Sequence, residues 1–200
     1  MPVLHQMQMS GNCYKVRLLL AQLGLAYERR EVSVVDRSDR AEVLGGKNPA
    51  LRVPTIEFDD GRALGESNAI LWYFGDGTAF VPQDPWERAK VLQWLFFEQY
   101  SHEPYLAVAR FWLAYSGEPE RYAAQLEDKR IEGYRALDAM ESELRGREFL
   151  VADRYTIADI ALYAYTHAAG EGGFVLERYP AIQSWLGRVA SQPGHVPIDA

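Results

Sequence analysis

Gly75-Asp76-Gly77-Thr78-Ala79-Phe80-Val81-Pro82-Gln83-Asp84-Pro85 separates two parts of this chain that read differently. Two glycines and two prolines in eleven residues interrupt both helix and strand, so the stretch reads as a linker. Before it, short apolar runs alternate with helical spacing. Pro2 to Gln8 is a strand candidate. Val16, Leu19, Leu20 and Leu23 recur at helical intervals and Gly24 offers a stop. Tyr27 to Val34 alternates as a strand, and 36–46 suggests an irregular helix. Val53 to Phe58 and Arg62 to Leu64 flank the turn signal Asp59-Asp60-Gly61, which predicts a hairpin. Helical spacing returns over Glu66 to Phe74. The order β-α-β-α-β-β-α begins with a βαβ unit, hence a parallel pair, and ends with a hairpin and a helix: a small mixed sheet with helices on both faces.

Beyond the linker the pattern is helical throughout. Asp84 and Pro85 have the chemistry of an N-cap and first helical residue. That helix runs to Tyr100 and on to Tyr115, with a kink or break expected at Pro104. Further helices are expected over Glu120–Arg145, Thr156–Ala169 and Pro180–Val189. The division is therefore an α/β domain over 1–76, a linker over 77–84 and an all-α domain over 85–200.

Composition excludes several classes of function. Of 200 residues, 48% are hydrophobic and 24% charged, enough to bury a core without metal or disulfide. Cys13 is the single cysteine, so the chain forms no internal disulfide and carries no dithiol redox pair. The net charge of -7 argues against a broad nucleic-acid or lipid-binding face. The N-terminus lacks the pattern of a signal peptide and no run is long enough to span a membrane, which suggests a cytoplasmic location. The four histidines show no metal-ligand spacing, and no glycine-rich phosphate loop is present.

Four short motifs carry the chemistry. Thr156-Ile157-Ala158-Asp159 reads as a variant capping box, a structural role. Asn48-Pro49-Ala50-Leu51-Arg52-Val53-Pro54-Thr55 places a proline at a strand entrance. This is either a plain loop proline or a cis bond that presents the Val53 main chain to a ligand. Gly65-Glu66-Ser67-Asn68 opens a helix, where free N–H groups suit a carboxylate. Glu66 adds an acceptor for an ammonium and Ser67 a donor, so the pair suits the end of an α-amino acid, although a simple N-cap accounts for either residue alone. Ser10-Gly11-Asn12-Cys13 lies between the first strand and first helix, where a helix start favours a thiolate. Ser10 or Asn12 as cap is the structural alternative, and Cys13 is itself a candidate thiol.

Together and in this order, these motifs resemble the cytosolic glutathione S-transferase superfamily over essentially the whole chain. The resemblance implies an α/β thioredoxin-like N-terminal domain followed by an all-α C-terminal domain. It implies a cis Val53-Pro54 bond, with Val53 pairing the cysteinyl main chain of glutathione. Glu66 and Ser67 would hold the γ-glutamyl end, and Arg52 or Lys47 the glycyl carboxylate. Ser10, then Asn12, then Cys13 are the candidates for activating the thiol. Tyr14 lies past the position of the catalytic tyrosine found in other classes, a slot taken here by Met7 or Met9. Tyr105, Phe111, Trp112 and Tyr115 would line the site for a hydrophobic electrophile. Glutathione is then a co-substrate, no other cofactor or metal is required, and the chain is expected to be a homodimer. Rival readings are a glutathione-dependent disulfide reductase, peroxidase or isomerase on the same scaffold, an adduct-forming protein acting through Cys13, and a glutathione-binding module without catalysis.

Overall fold

The computed structural model describes residues 1–200 as two compact units. The first comprises Met1–Thr78 together with Pro193–Ala200, the second Ala79–Gln192. Residues 193–200, grouped by sequence with the helical part, thus belong to the α/β unit.

In the first unit the strands are β1 (Val3–Gln6), β2 (Glu28–Glu31), β3 (Thr55–Glu57) and β4 (Ala63–Gly65), and the helices α1 (Gly11–Gln22), α2 (Arg40–Leu44) and α3 (Ser67–Gly75). The sheet order is β2-β1-β3-β4. β1 pairs parallel with β2 (Leu4 opposite Arg29) and antiparallel with β3 (Leu4 opposite Ile56), and β3 pairs antiparallel with β4. The thioredoxin-like order expected from sequence is present. Its strands are shorter than the apolar runs because only the paired residues count. β2 keeps four exposed charged residues, Glu28 to Glu31, which protect a sheet edge from further pairing. Leu4, Val16, Leu20, Ile56 and Ile70 form the core of this unit, with Tyr27, Phe58, Leu64 and Phe74 packed around it.

The 193–200 segment is bound through α1 and the turn after β1. Tyr14 Oη donates to Val196 O (2.8 Å), and Arg17 Nη2 donates to both Ile198 O (2.6 Å) and Gln8 O (2.8 Å). Gln8 Nε2 reaches Ile198 O and Ala200 O. Gly194 is required where the segment turns in: its φ is +72°, and a Cβ there would stand 3.0 Å from Gln22 Cα. Arg17 is 1% exposed, so its guanidinium depends on these acceptors.

The second unit is helical: α4 (Pro85–Phe97), α5 (Glu103–Arg110), α6 (Ala123–Leu144), α7 (Ile157–Thr166) and α8 (Pro180–Ala190). Asp84 caps α4 by accepting from Glu87 N at 3.0 Å, with Pro85 as first residue. At Pro104, where a kink or break is expected, the helix widens locally. Glu98–His102 forms a π turn, and Glu103 N bonds five residues back to Glu98 O. The wider turn accommodates the proline's missing donor and its ring, and the helix continues as α5. A second π turn follows at Phe111–Tyr115. α6 runs unbroken through Gly133, where a glycine is needed because a Cβ would lie 2.5 Å from the Phe174 ring.

α7 is buried along its whole length and starts at the capping box. Asp159 accepts four hydrogen bonds: from Thr156 N (2.9 Å) and Thr156 Oγ1 (3.1 Å) on one oxygen, and from Leu150 N (3.1 Å) and Trp185 Nε1 (2.9 Å) on the other. Burial nevertheless pushes its carboxyl up to about 6, the four donors pulling the other way.

Three outcomes follow from these contacts. Thr156→Ala is expected to lower stability by about 1–2 kcal/mol in denaturant unfolding. A carboxyl whose pKa is higher folded than unfolded binds protons more readily in the folded state, so its contribution falls as pH rises from about 4 to about 6. The stability of the parent relative to Asp159→Asn should therefore shrink across that window and level off above it; a gap that widens would contradict the assignment. A chain ending at Gly194 is expected to lose about 1–3 kcal/mol, the cost of leaving a buried donor such as Arg17 short of acceptors.

Candidate active site

The sheet topology gathers the sequence motifs at one edge of the first unit. β3 runs antiparallel to β1, so the end of β1 lies beside the start of β3. β4 runs antiparallel to β3, and Gly65 at its end pairs with Thr55. The Met7–Ser10 turn, the Val53-Pro54 dipeptide and Glu66-Ser67 therefore leave the sheet at the same edge. α1 and α3 both begin there.

Each segment is held by its own residues. Ser10 N donates to Met7 O (3.1 Å), closing the turn after β1. Ser10 is the N-cap of α1, its Oγ accepting from Cys13 N at 3.4 Å. Val53-Pro54 is cis. Asn48 secures the loop before it by donating to Arg52 O (3.1 Å) and Thr55 Oγ1 (2.9 Å) and accepting from Ala50 N. Gly65 passes so close to the Asn48 amide that a Cβ would be 2.6 Å from Nδ2. The main chain of Val53 makes no hydrogen bond within the protein. Glu66 has φ +63°, an uncommon conformation for a side-chain-bearing residue, and makes no side-chain capping bond. The first-turn N–H groups of α3 therefore have no side-chain cap from Glu66, whose carboxylate is exposed.

Asn12 and Ser67 are brought together from α1 and α3, with Ser67 Oγ 3.2 Å from Asn12 Oδ1. Between them lies a residue that sequence reading missed. Lys15 is fully buried, and its Nζ donates to Asn12 Oδ1 (2.7 Å) and Ser67 Oγ (3.3 Å). Its sequence signal is faint: a lysine three residues after Asn12 in a helix that is otherwise apolar at that level.

Cys13 is turned inward. It is fully buried, its sulfur accepts from Met7 N (3.4 Å), and burial pushes its thiol up to about 11. Such a thiol is neutral at physiological pH and out of reach of a ligand, which corrects the expectation of a candidate thiol at this position. Arg52 is exposed beside the Val53-Pro54 dipeptide. Lys47 Nζ bends to Val43 O (3.3 Å) and lies 3.9 Å from Glu57, which also meets His5 Nε2 at 3.0 Å.

The aromatic residues expected at the electrophile site all lie in the second unit. Tyr105 is on α5, and Lys129 Nζ stands 5.2 Å from its ring and 5.9 Å from that of Trp112. Trp112 stacks on Tyr122 at 4.7 Å. Tyr115 Oη donates to Glu171 (3.0 Å) and accepts from Arg110 (2.8 Å), so its hydroxyl is used inside this unit. Phe111 is half-buried at the start of the second π turn.

The glutathione S-transferase N-terminal domain matches residues 4–78 and the glutathione S-transferase C-terminal domain residues 105–193. The chain belongs to the glutathione S-transferase family. Among solved structures it is similar to a glutathione S-transferase from Pseudomonas fluorescens, with 50% identity, 98% of each chain covered and a TM-score of 0.95. Among curated proteins it is 29% identical to glutathione S-transferase 1 of Schizosaccharomyces pombe, over 91% of this chain and 88% of that one. It is 28% identical to the disulfide-bond oxidoreductase YfcG of Escherichia coli, over 91% of this chain and 87% of that one.

The burial of Cys13 sets a chemical expectation. At pH 8 its alkylation in the native protein should be on the order of 10²-fold slower than in the unfolded chain, from the smaller thiolate fraction alone. Equal rates would show the thiol to be exposed.

Proposed function

We propose that this protein activates glutathione as a thiolate, with Ser10 as the principal donor to the sulfur and Asn12 as the second, and transfers it to a hydrophobic electrophile. The observation that carries the reading is the use of the Ser10 hydroxyl. Its oxygen caps α1 by accepting from Cys13 N, which fixes the hydroxyl at the helix start, where the sulfur of the ligand would lie. A thiol with a reference pKa of about 8.5 is mostly protonated near pH 7. A hydroxyl donor and the helix N-terminus both favour the charged form, and a two-unit fall is worth about 2.7 kcal/mol. The thiolate then forms the carbon–sulfur bond while the leaving group departs with its electron pair. The protein supplies positioning and sulfur activation.

The remaining contacts of the ligand follow the family pattern. Val53 offers an unpaired main chain to the cysteinyl residue, Glu66 and Ser67 meet the γ-glutamyl end, and Arg52 or Lys47 meets the glycyl carboxylate. Tyr105, Phe111, Trp112 and Tyr115 are proposed to contact the electrophile. Homodimerisation in the cytoplasm is part of the same proposal; Trp86, Phe96 and Tyr100, exposed by 70% or more, supply apolar surface for it. A second reading, glutathione-dependent disulfide reduction, is favoured by the likeness to a disulfide-bond oxidoreductase. The inward Cys13 fits either reaction, since both would rely on the thiolate of glutathione.

Ser10→Ala is expected to raise the pKa of bound glutathione and to slow conjugation of an aryl halide at neutral pH by about 10²–10³-fold. Parent-like turnover and thiol titration would remove Ser10 from the mechanism. Ser67→Ala, which removes the hydroxyl tied to Asn12 and Lys15 at the start of α3, should weaken glutathione binding by about 0.5–1.5 kcal/mol in calorimetry. Running the same variants against a mixed disulfide of glutathione decides between transfer and reduction.

A further inference from the structure

Lys15 is a fully buried cation that the mechanism above does not use. Its ammonium carries three donors and no acceptor, so the atom it meets on the Asn12 side chain, 2.7 Å away, must be the amide oxygen. The same oxygen is the acceptor for the Ser67 hydroxyl at 3.2 Å. With two donors on Oδ1, the amide cannot turn over: exchanging its ends would set NH2 protons against an ammonium, a contact without any acceptor. The NH2 end of Asn12 is therefore the end directed away from Lys15 and Ser67. Asn12 is half-buried in the first turn of α1, two residues past the Ser10 cap.

We infer that Lys15 is a positioning residue that locks the Asn12 amide with its NH2 donors toward the ligand sulfur and ties that amide to Ser67 at the start of α3. The inference rests on the proposed thiolate activation. It adds a reason why an asparagine, which carries both a donor and an acceptor, acts here as a donor alone. It also makes the sulfur end and the γ-glutamyl end of the site mechanically dependent on one buried side chain, since Nζ reaches both Asn12 and Ser67.

The test is a double-mutant cycle on Lys15→Met and Asn12→Ala, read by ultraviolet titration of the thiolate in the saturated glutathione complex. K15M is expected to raise the pKa of bound glutathione by about one unit, tenfold less thiolate at neutral pH, and K15R to stay close to the parent. In the N12A background K15M should add little, because its effect runs through the amide. A K15M complex that titrates like the parent overturns the inference, and so does a full additive effect in the double variant. If K15M does not fold, Lys15→Gln, whose amide accepts as well as donates and so no longer dictates which end of Asn12 it meets, is read in its place, and a parent-like titration there overturns it equally. A parent that leaves the glutathione thiol at its ordinary pKa overturns the proposed function and this inference together, whereas a lowered parent pKa with no response to K15M overturns this inference alone.

Discussion

Because β3 runs antiparallel to both β1 and β4, three chain segments far apart in sequence leave the sheet at one edge. Each then does something a ligand can use. The segment after β1 turns into the start of α1 under the Ser10 hydroxyl. The segment before β3 exposes the main chain of Val53. The segment after β4 enters α3 through Glu66 at φ +63°. Two helix starts and one unpaired stretch of main chain at one edge give a surface rich in N–H donors, suited to a ligand with carboxylates at its ends and a thiolate between them. Reversing either strand pairing would scatter these groups.

Polar residues buried around this edge hold it in place. Asn48 connects the loop before Pro54 to Thr55 and fills the space left by Gly65. Lys15 connects α1 to α3. Arg17, one helical turn from Tyr14 and nearly without exposure, joins the turn after β1 to the 193–200 segment through Gln8 and Ile198. Isolated buried charges are costly, and each of these is met by several oxygens. The second unit follows the same rule at Asp159, whose carboxyl receives four donors at the start of a helix buried along its whole length.

Much of this was legible in the sequence. Glycine and proline punctuation marked the strand and helix order of the first unit, and Asp84-Pro85 and Thr156-x-x-Asp159 announced two helix starts through side chains that bond within their own turn. Local chemistry leaves local signals. The missed features are those decided by distant contacts. Pro104 reads as a kink or a break; a π turn whose hydrogen bond spans five residues absorbs the proline and lets the helix continue. Residues 193–200 carry no periodicity, and their place is set by acceptors offered to Arg17 and Gln8. Lys15 and Arg17 give no sequence sign of their burial, because charge usually marks a helix's exposed side, whereas α1 is buried nearly all round. Cys13 reads as a candidate nucleophile from its place near a helix start; only its burial under Met7 shows the thiol to be neutral. Of the candidate site, residue identities at Ser10, Asn12, Val53, Glu66 and Ser67 could be picked out, but not which end of each polar side chain faces outward.

The central claim is that a glutathione sulfur lies over the start of α1 as a thiolate held by Ser10 and Asn12. The most direct measurement is the position of that sulfur in a crystal structure of the glutathione complex at high resolution. A sulfur within hydrogen-bonding distance of both Ser10 Oγ and Asn12 Nδ2, with the cysteinyl main chain paired to Val53, is the expected result. A sulfur turned away from the helix start, with neither side chain in contact, would contradict it.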